Sequence, residues 1–338
     1  MTIRCNTPQG SYEITIRRGA LEDAGALFNL KRKVLVVTDG SVPARYAETI
    51  LRQCDKGYKY TFPAGEGSKT LATWQEILSM MLQNGFSRRD AVVAVGGGVA
   101  GDIAGFAAAS YMRGVDFCNI PTTLLSQLDS SVGGKTGVNF EGIKNIVGAF
   151  KQPGAVIIDP DCLDTLPERL VHEGLSEAIK IAATSDAAFF EMLEECDDLR
   201  GSYESIIKRA VELKRDVVEA DTFESGRRKI LNFGHTIGHA IEAAAEGSLF
   251  HGEAVAAGMM YMCSPNMIPR LSKLLRKYKL PTTDPFDEET LMEKVAFDKK
   301  GSGGSIDCIY VPAPGKAEIV RMSLPQIREC ISKLKTSV

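Results

Sequence analysis

Hydrophobic positions in the first 160 residues fall into short runs separated by helical stretches. Ser11–Arg17 alternates apolar and polar side chains as an edge strand does. Lys33–Thr38 (KVLVVT) and Ala91–Val95 (AVVAV) are nearly continuous apolar runs, as expected of strands buried on both faces. Tyr58–Phe62, Phe117–Ile120 and Ala155–Asp159 read as further strands, the last closing this part of the chain. Short strands alternating with helices predict an open α/β sheet. After Pro160 the pattern turns helical. Helices are expected from Pro167 onward, over Leu175–Ala183, over Ser205–Glu219 and around His235–Ala244. A basic helix over Leu271–Tyr278 reads as solvated surface, and a late strand over Ser305–Val311 follows a turn at residues 298–304. The pattern divides the chain into an α/β domain, residues 1–160, and a mainly helical domain, residues 161–338.

The Ala91–Val95 run leads directly into Gly96, Gly97, Gly98, Val99, Ala100, Gly101 and Asp102, followed by an Ala-rich helix. A strand, a glycine-rich turn and a helix in that order form a phosphate cradle. Glycine lets backbone N–H groups approach an anion, and the helix N-terminus favours negative charge. The turn is not GxGxxG, so it points to a dinucleotide only together with Asp39, an acid at the end of an earlier strand where a ribose diol is held. Thr122 and Thr123 place hydroxyls at another strand end. The segment Gln127–Phe150, rich in Gly and polar groups, reads as a ligand-facing loop. Its Asp129, Lys135, Lys144 and Asn145 are either ligand contacts or ordinary surface residues.

Three of only four histidines lie between Arg228 and Glu253. His235 and His239 are four apart in an apolar-periodic helix, so both rings share one face. Gly247 and Ser248 look like a helix stop, which puts His251 on the following loop, free to fold back. Two or three imidazoles plus a carboxylate make a catalytic zinc site with one open position. Spacing alone pairs His235 with His239, as on HExxH helices. Any one of these rings is also compatible with a hydrogen-bonded core role. Upstream, Glu177 and Lys180 stand at i and i+3 on a largely apolar helix. They are either an exposed ion pair or a metal carboxylate beside a substrate-binding ammonium. Lys214 lies on the Ser205–Glu219 helix.

At 338 residues the chain is long enough for two domains of ordinary size, and 44% hydrophobic with 25% charged residues is typical of a globular protein. A net charge of −3 gives no electrostatic case for nucleic acid or an anionic membrane. No run approaches 18 uninterrupted apolar residues and MTIRCNTPQGSYEI has no apolar core, so neither a membrane span nor a signal peptide is expected, and the cytoplasm is the expected location. The eight cysteines are scattered with no CxxC pair, which suits reduced, buried thiols.

Taken together, GGGVAGDIAGF, the Arg113–Gly114 pair, IPTTLL, DSSVGGKTGVN, GIKNIVGAF, TLPER, GLSEAIK, LNFGHTIGHAIE and HGEAVAAGM resemble the 3-dehydroquinate synthases over roughly residues 30–315. The resemblance implies a Rossmann-like, parallel-sheet NAD-binding domain, an all-helical C-terminal metal-binding domain, an active site in the cleft, and a homodimer. It assigns one zinc or cobalt ion to Glu177, His235 and His251, which replaces the pairing drawn from spacing. His239 and Glu224 become acid/base positions. NAD contacts fall on Asp39, Glu66, Lys69, Gly98, Val99, Ala100, Gly101, Asp102, Thr122, Thr123, Lys135, Lys144, Cys162, Leu163, Asp164 and Thr165. Substrate contacts fall on Arg113, Asp129, Lys135, Asn145, Lys180, Lys214, Arg228, Asn232 and Lys299. A Lys/Arg cluster suits a ligand that is both carboxylate and phosphate.

The reaction so implied begins with oxidation of a heptulosonate phosphate at C5 and loss of phosphate. Reduction, ring opening and an intramolecular aldol follow, with NAD used but not consumed. The rivals are another sugar phosphate cyclase, a metal- and NAD-dependent polyol dehydrogenase, and a non-catalytic binding protein. Two departures from the family pattern stand out. The segment after HGEAVAAGM is short and interrupted by Pro265 and Pro269, and Leu170 stands where an acid often follows the arginine of LPER.

Overall fold

The computed structural model describes residues 1–298 and 305–337, which form two compact units. The first comprises Met1–Pro167 with Tyr203–Phe223, and the second Glu168–Ser202 with the described residues from Glu224 onward.

The first unit contains strands β1 (Thr2–Thr7), β2 (Gly10–Ile16), β3 (Lys33–Asp39), β4 (Lys56–Phe62), β5 (Ala91–Gly96), β6 (Asp116–Pro121), β7 (Lys135–Phe140), β8 (Ile143–Phe150) and β9 (Ala155–Ile158). Its helices are α1 (Ala24–Leu27), α2 (Ala44–Leu51), α3 (Leu71–Gln83) and α4 (Gly98–Ser110). Seven strands form one sheet in the order β1-β2-β9-β6-β5-β3-β4, parallel except for the β1–β2 pair. The central strands β3 and β5 are buried almost throughout, and successive side chains feed opposite cores. Val34, Val36, Val93 and Val95 pack with Ile50 of α2, while Leu35, Val37, Val92 and Ala94 pack with Ile77 of α3 and Ile103 of α4. The fold class expected from the alternating runs is therefore the one observed.

Three local expectations change. Ser11–Arg17 is not the edge, because β1 pairs outside β2. The Gln127–Phe150 segment is not a loop: it is a π-helical turn, Ser126–Ser130, followed by the β7–β8 hairpin. Gly137 and Gly148 serve close approach rather than flexibility, since a Cβ on Gly148 would lie 2.1 Å from the Thr136 carbonyl oxygen and one on Gly137 2.6 Å from that of Val147. Finally, Tyr203–Phe223, expected in the second domain, packs with the first. Its helix buries Ile206, Ala210, Val217 and Val218 against the β1–β2 side of the sheet and the Ser126–Ser130 turn, and Glu219 accepts hydrogen bonds from Asn6.

The second unit contains α5 (Glu168–Ser185) and α6 (Ala187–Glu195). The Tyr203–Ala220 helix of the first unit is α7. Then follow α8 (His235–Ala244), α9 (His251–Tyr261), α10 (Ile268–Lys277), α11 (Glu288–Asp298) and α12 (Leu324–Ser337). This part is not all helical: β10 (Ser305–Ala313) and β11 (Lys316–Ser323) form an antiparallel pair, extending the single late strand expected there. α10 is basic outside but buries Leu271, Leu274 and Leu275, so only one face is solvated. α9 stops at Tyr261 and α10 restarts at Ile268 with Pro269 in its first turn, where a missing N–H costs nothing. Among the described residues, no helix is long and apolar enough to cross a membrane. Among the described residues no cysteine forms a disulfide.

Candidate metal centre and nucleotide cradle

In the second unit the site is built where α8 and α9 cross. They meet backbone to backbone: a Cβ on Gly258 would lie 2.2 Å from the Gly234 carbonyl oxygen and 2.6 Å from the Gly238 nitrogen. Gly234, at φ +80°, turns the chain into α8 and leaves His235 as its first residue. His251 does not sit on a loop. Gly247 ends the preceding turn, and His251 is the first residue of α9. α5 lies against α9, with Glu177 and Lys180 each 2% exposed.

Ligand atoms of Glu177, His235 and His251 lie within 4.8 Å of one another. His251 Nε2 is 3.5 Å and His235 Nε2 3.9 Å from Glu177 Oε1. The far nitrogen of each ring is engaged: His235 Nδ1 lies 3.2 Å from the Phe233 carbonyl, and His251 Nδ1 3.2 Å from Glu242 Oε2. Both rings therefore direct Nε2 toward the carboxylate. Among the described residues, neither buried oxygen of Glu177 finds a hydrogen bond of ordinary geometry, although Lys180 forms an ion pair with it. The exposed ion pair that i, i+3 spacing suggests is thus a buried one, which must be justified by something it holds.

Burial, assisted by Lys180, drives His235 well below the usual imidazole range, so it is neutral and able to donate a lone pair. Burial acts the same way on His251, but Glu177 and Glu242 outweigh it and push the ring up to about 10, so this pocket favours a cation. Burial raises Glu173, one turn before Glu177, to about 7. One carboxylate and two Nε2 donors, with their outer nitrogens fixed, fit a divalent metal with an open position.

His239, one turn after His235, is exposed, its ring 5.2 Å from that of His235 and 5.8 Å from that of His251. It falls in a second group with Glu242 and His251 rather than completing a His235–His239 pair. Arg228 is buried in the turn Arg227–Asn232, and Asn232 donates a 2.7 Å hydrogen bond to Glu224. Lys299 lies outside the described residues.

In the first unit the glycine turn caps α4. Gly97 is the residue before the helix, and a Cβ there would lie 3.0 Å from Thr123 Cγ2, while one on Gly98 would lie 3.2 Å from Ser130 Oγ. The hydroxyls of Ser130 and Ser131 are buried without a hydrogen-bond partner among the described residues. A close-approaching backbone, a helix N-terminus and spare hydroxyls fit a phosphate-bearing ligand. Val99, Ala100, Gly101 and Asp102 form the first turn of α4, and Thr122 bonds back to Gly96. Asp39 ends β3 and accepts from the Ser41 backbone at 2.8 Å.

Lys69 is 4% exposed. It donates to Asp102 at 2.6 Å and to Asn145, which ties a residue assigned to NAD to one assigned to substrate. Glu66 accepts from Asn139 of β7 at 2.9 Å, and Lys135 and Lys144 are exposed on the hairpin. Lys214 of α7 pairs with Asp129. Cys162 and Leu163 are core residues, so among their neighbours only Asp164 and Thr165 face solvent, with the Thr165 hydroxyl bonded to Tyr46.

Arg113 does not join this group. It precedes β6, at the end opposite Thr122, and the six residues of β6 separate the two by roughly 20 Å at about 3.3 Å per residue. Glu173, Glu242 and Ser130 are the residues that sequence reasoning passed over. Only Glu242 carried a signal, at i+3 from His239 on the same helix face.

Residues 59–173 match the 3-dehydroquinate synthase N-terminal family model and residues 174–301 the C-terminal one. A 3-dehydroquinate synthase of Streptococcus thermophilus is 39% identical, with 98% of this chain and 100% of that protein covered. Among solved structures, a 2-epi-5-epi-valiolone synthase from Streptomyces hygroscopicus with NAD+ and Zn2+ bound superposes with TM-score 0.88 at 28% identity, covering 97% of each chain. A 2-deoxy-scyllo-inosose synthase complexed with carbaglucose-6-phosphate, NAD+ and Co2+ gives TM-score 0.87 at 26% identity, covering 98% of this chain and 100% of that one. With both family models matched in order and a relative of this identity over nearly the whole length, the chain belongs to the 3-dehydroquinate synthase family.

Proposed function

We propose that the protein converts 3-deoxy-D-arabino-heptulosonate 7-phosphate to 3-dehydroquinate and phosphate, using NAD and one divalent ion, zinc or cobalt. The convergence of Glu177, His235 and His251 in a chain of this family is the observation that carries the reading. When bound, the metal supplies a Lewis acid for the C5 hydroxyl and NAD a reversible hydride acceptor.

The chain's own groups do the rest. Lys180, beside the metal carboxylate, and Arg228, both buried, neutralise a substrate anion, while Asn145 of the first unit offers the substrate a neutral hydrogen bond. His239, exposed on the open side of the ligand trio, is placed to move a proton at the hydroxyl being oxidised. Asn232 orients Glu224 as the second acid/base group. In the first unit Asp39, Lys69 and the Gly97–Asp102 turn hold the dinucleotide, with the α4 N-terminus facing its phosphates. Lys135, Lys214 and Asp129 serve the substrate, and a role for Lys299 rests on family resemblance alone. Arg113, a strand length from this group, would serve only through a second copy, which the homodimer implied by the resemblance supplies. The cytoplasm is the proposed compartment.

The test follows phosphate release and NADH absorbance together, with heptulosonate phosphate in excess over NAD. Many phosphates per NAD without net NADH is the expected result. Steady NADH from a polyol without phosphate release would replace the reading with a dehydrogenase. Turnover confined to a different sugar phosphate would replace it with another cyclase, a reading favoured by the two cyclase structures that superpose so well.

A further inference from the structure

We propose that Glu242 is a positioning residue that sets the tautomer and orientation of His251, and that its carboxylate is required for full metal affinity. The inference rests on the metal reading of this same site. His235 and His251 each hold Nε2 toward Glu177, and each needs an acceptor for its Nδ1–H to stay in that tautomer. His235 finds one locally, in the carbonyl of Phe233 two residues before it. His251, likewise the first residue of its helix, is not held by a carbonyl two residues before it.

The acceptor comes instead from the neighbouring helix: Glu242 Oε2 of α8 lies 3.2 Å from His251 Nδ1. Glu242 is one turn from His239 and two turns from His235, and its side chain is 15% exposed. α8 thus contributes one ligand from its first residue and the support for another ligand from its third turn. The negative charge also makes the ring a stronger donor, which a neutral acceptor would not do.

The experiment measures zinc affinity of the metal-stripped full chain by competition with a chromophoric chelator, for wild type, Glu242→Gln and Glu242→Ala. The ring tautomers of the zinc-loaded proteins are followed by nitrogen-15 NMR of labelled histidine, with His239→Ala as an assignment aid. Expected are one zinc per wild-type chain, affinity about 10- to 100-fold weaker in Glu242→Ala, and an intermediate loss in Glu242→Gln, which keeps an acceptor but not the charge. The His251 Nδ1–H resonance should move in both variants while the His235 signals stay.

Equal affinity across the three proteins, with His251 resonances unmoved, would overturn the proposal. So would two zinc ions in wild type with one lost on removing Glu242, because Glu242 would then be a ligand in its own group with His239. A wild type that binds no zinc would instead sink the metal reading beneath it. Should Glu242→Ala fail to fold, the Glu242→Gln comparison decides alone.

Discussion

Replacing Gly258 with alanine tests whether the backbone contact between α8 and α9 makes the metal centre. The added Cβ would stand 2.2 Å from the Gly234 carbonyl oxygen, about 1.2 Å short of ordinary contact, which begins near 3.4 Å. Its other neighbours, the Gly238 nitrogen at 2.6 Å and Cα at 2.9 Å, are backbone atoms too, so no side chain can rotate away. The helices must separate. Overpacking of this kind costs about 3 kcal/mol, and the better helix propensity of alanine returns about 1 kcal/mol, leaving a net loss near 2 kcal/mol. For a unit of this size that is a drop in Tm of about 4–8 °C.

The larger effect falls on the metal. His235 follows Gly234 directly and His251 lies seven residues before Gly258 on α9, so a separation of the order of 1 Å exceeds the roughly 0.2 Å tolerance of metal–ligand distances several-fold. Zinc affinity should fall at least about tenfold, read by chelator competition, with the Tm read by calorimetry in EDTA. Gly67→Ala, where a Cβ meets nothing within 4 Å, is the control. Gly258→Ala melting within 1 °C of wild type and binding zinc equally would refute the reasoning.

The Glu177–Lys180 pair should behave as a buried ion pair: Glu177→Gln or Lys180→Met alone costs about 3–5 kcal/mol in metal-free protein, while the double variant is far milder than the sum, as urea denaturation in EDTA will read. Additive losses would mean the two charges are independently solvated. Removing the metal should itself lower stability, by about 4 kcal/mol when wild type is compared at a thousandfold excess of free zinc over Kd, and the gain should grow with the logarithm of zinc concentration. Lys69→Met should weaken NAD binding at least about tenfold by calorimetry with the circular dichroism spectrum unchanged, because Asp102 and Asn145 lose the ammonium that holds both; unchanged affinity would detach Lys69 from the dinucleotide.

What the sequence made legible follows from periodicity. KVLVVT and AVVAV could hardly be anything but strands covered on both faces, and the turn after AVVAV marked the carboxyl end of the sheet where α4 begins. β1 was missed because TIRCNT buries only Ile3 and Cys5, too sparse a pattern to stand out from a polar N-terminus. The β7–β8 hairpin was read as a loop because Gly137 and Gly148 look like turn residues. They are ladder residues placed where two backbones nearly touch. An amphipathic pattern identified the Ser205–Glu219 helix and its apolar face but carries no information about which core receives it, and the chain returns to the first unit across 35 intervening residues of the second.

The candidate site shows the same limit more sharply. Helix geometry brings His235 and His239 together, and spacing alone therefore favours them as joint ligands. Yet a ligand set is defined by where donor atoms converge, and the remaining donors come from other elements: Glu177 from the interior of α5 and His251 from the first turn of α9. No local pattern encodes that convergence. It depends on Gly234, Gly238 and Gly258 letting α8 and α9 approach, and on a buried carboxylate that i, i+3 spacing cannot distinguish from a surface ion pair. Family resemblance supplied the Glu177–His235–His251 set because it compares whole arrangements rather than periods. It passed over Glu242 because a supporting acceptor is recognised only once the direction of the ring it supports is known.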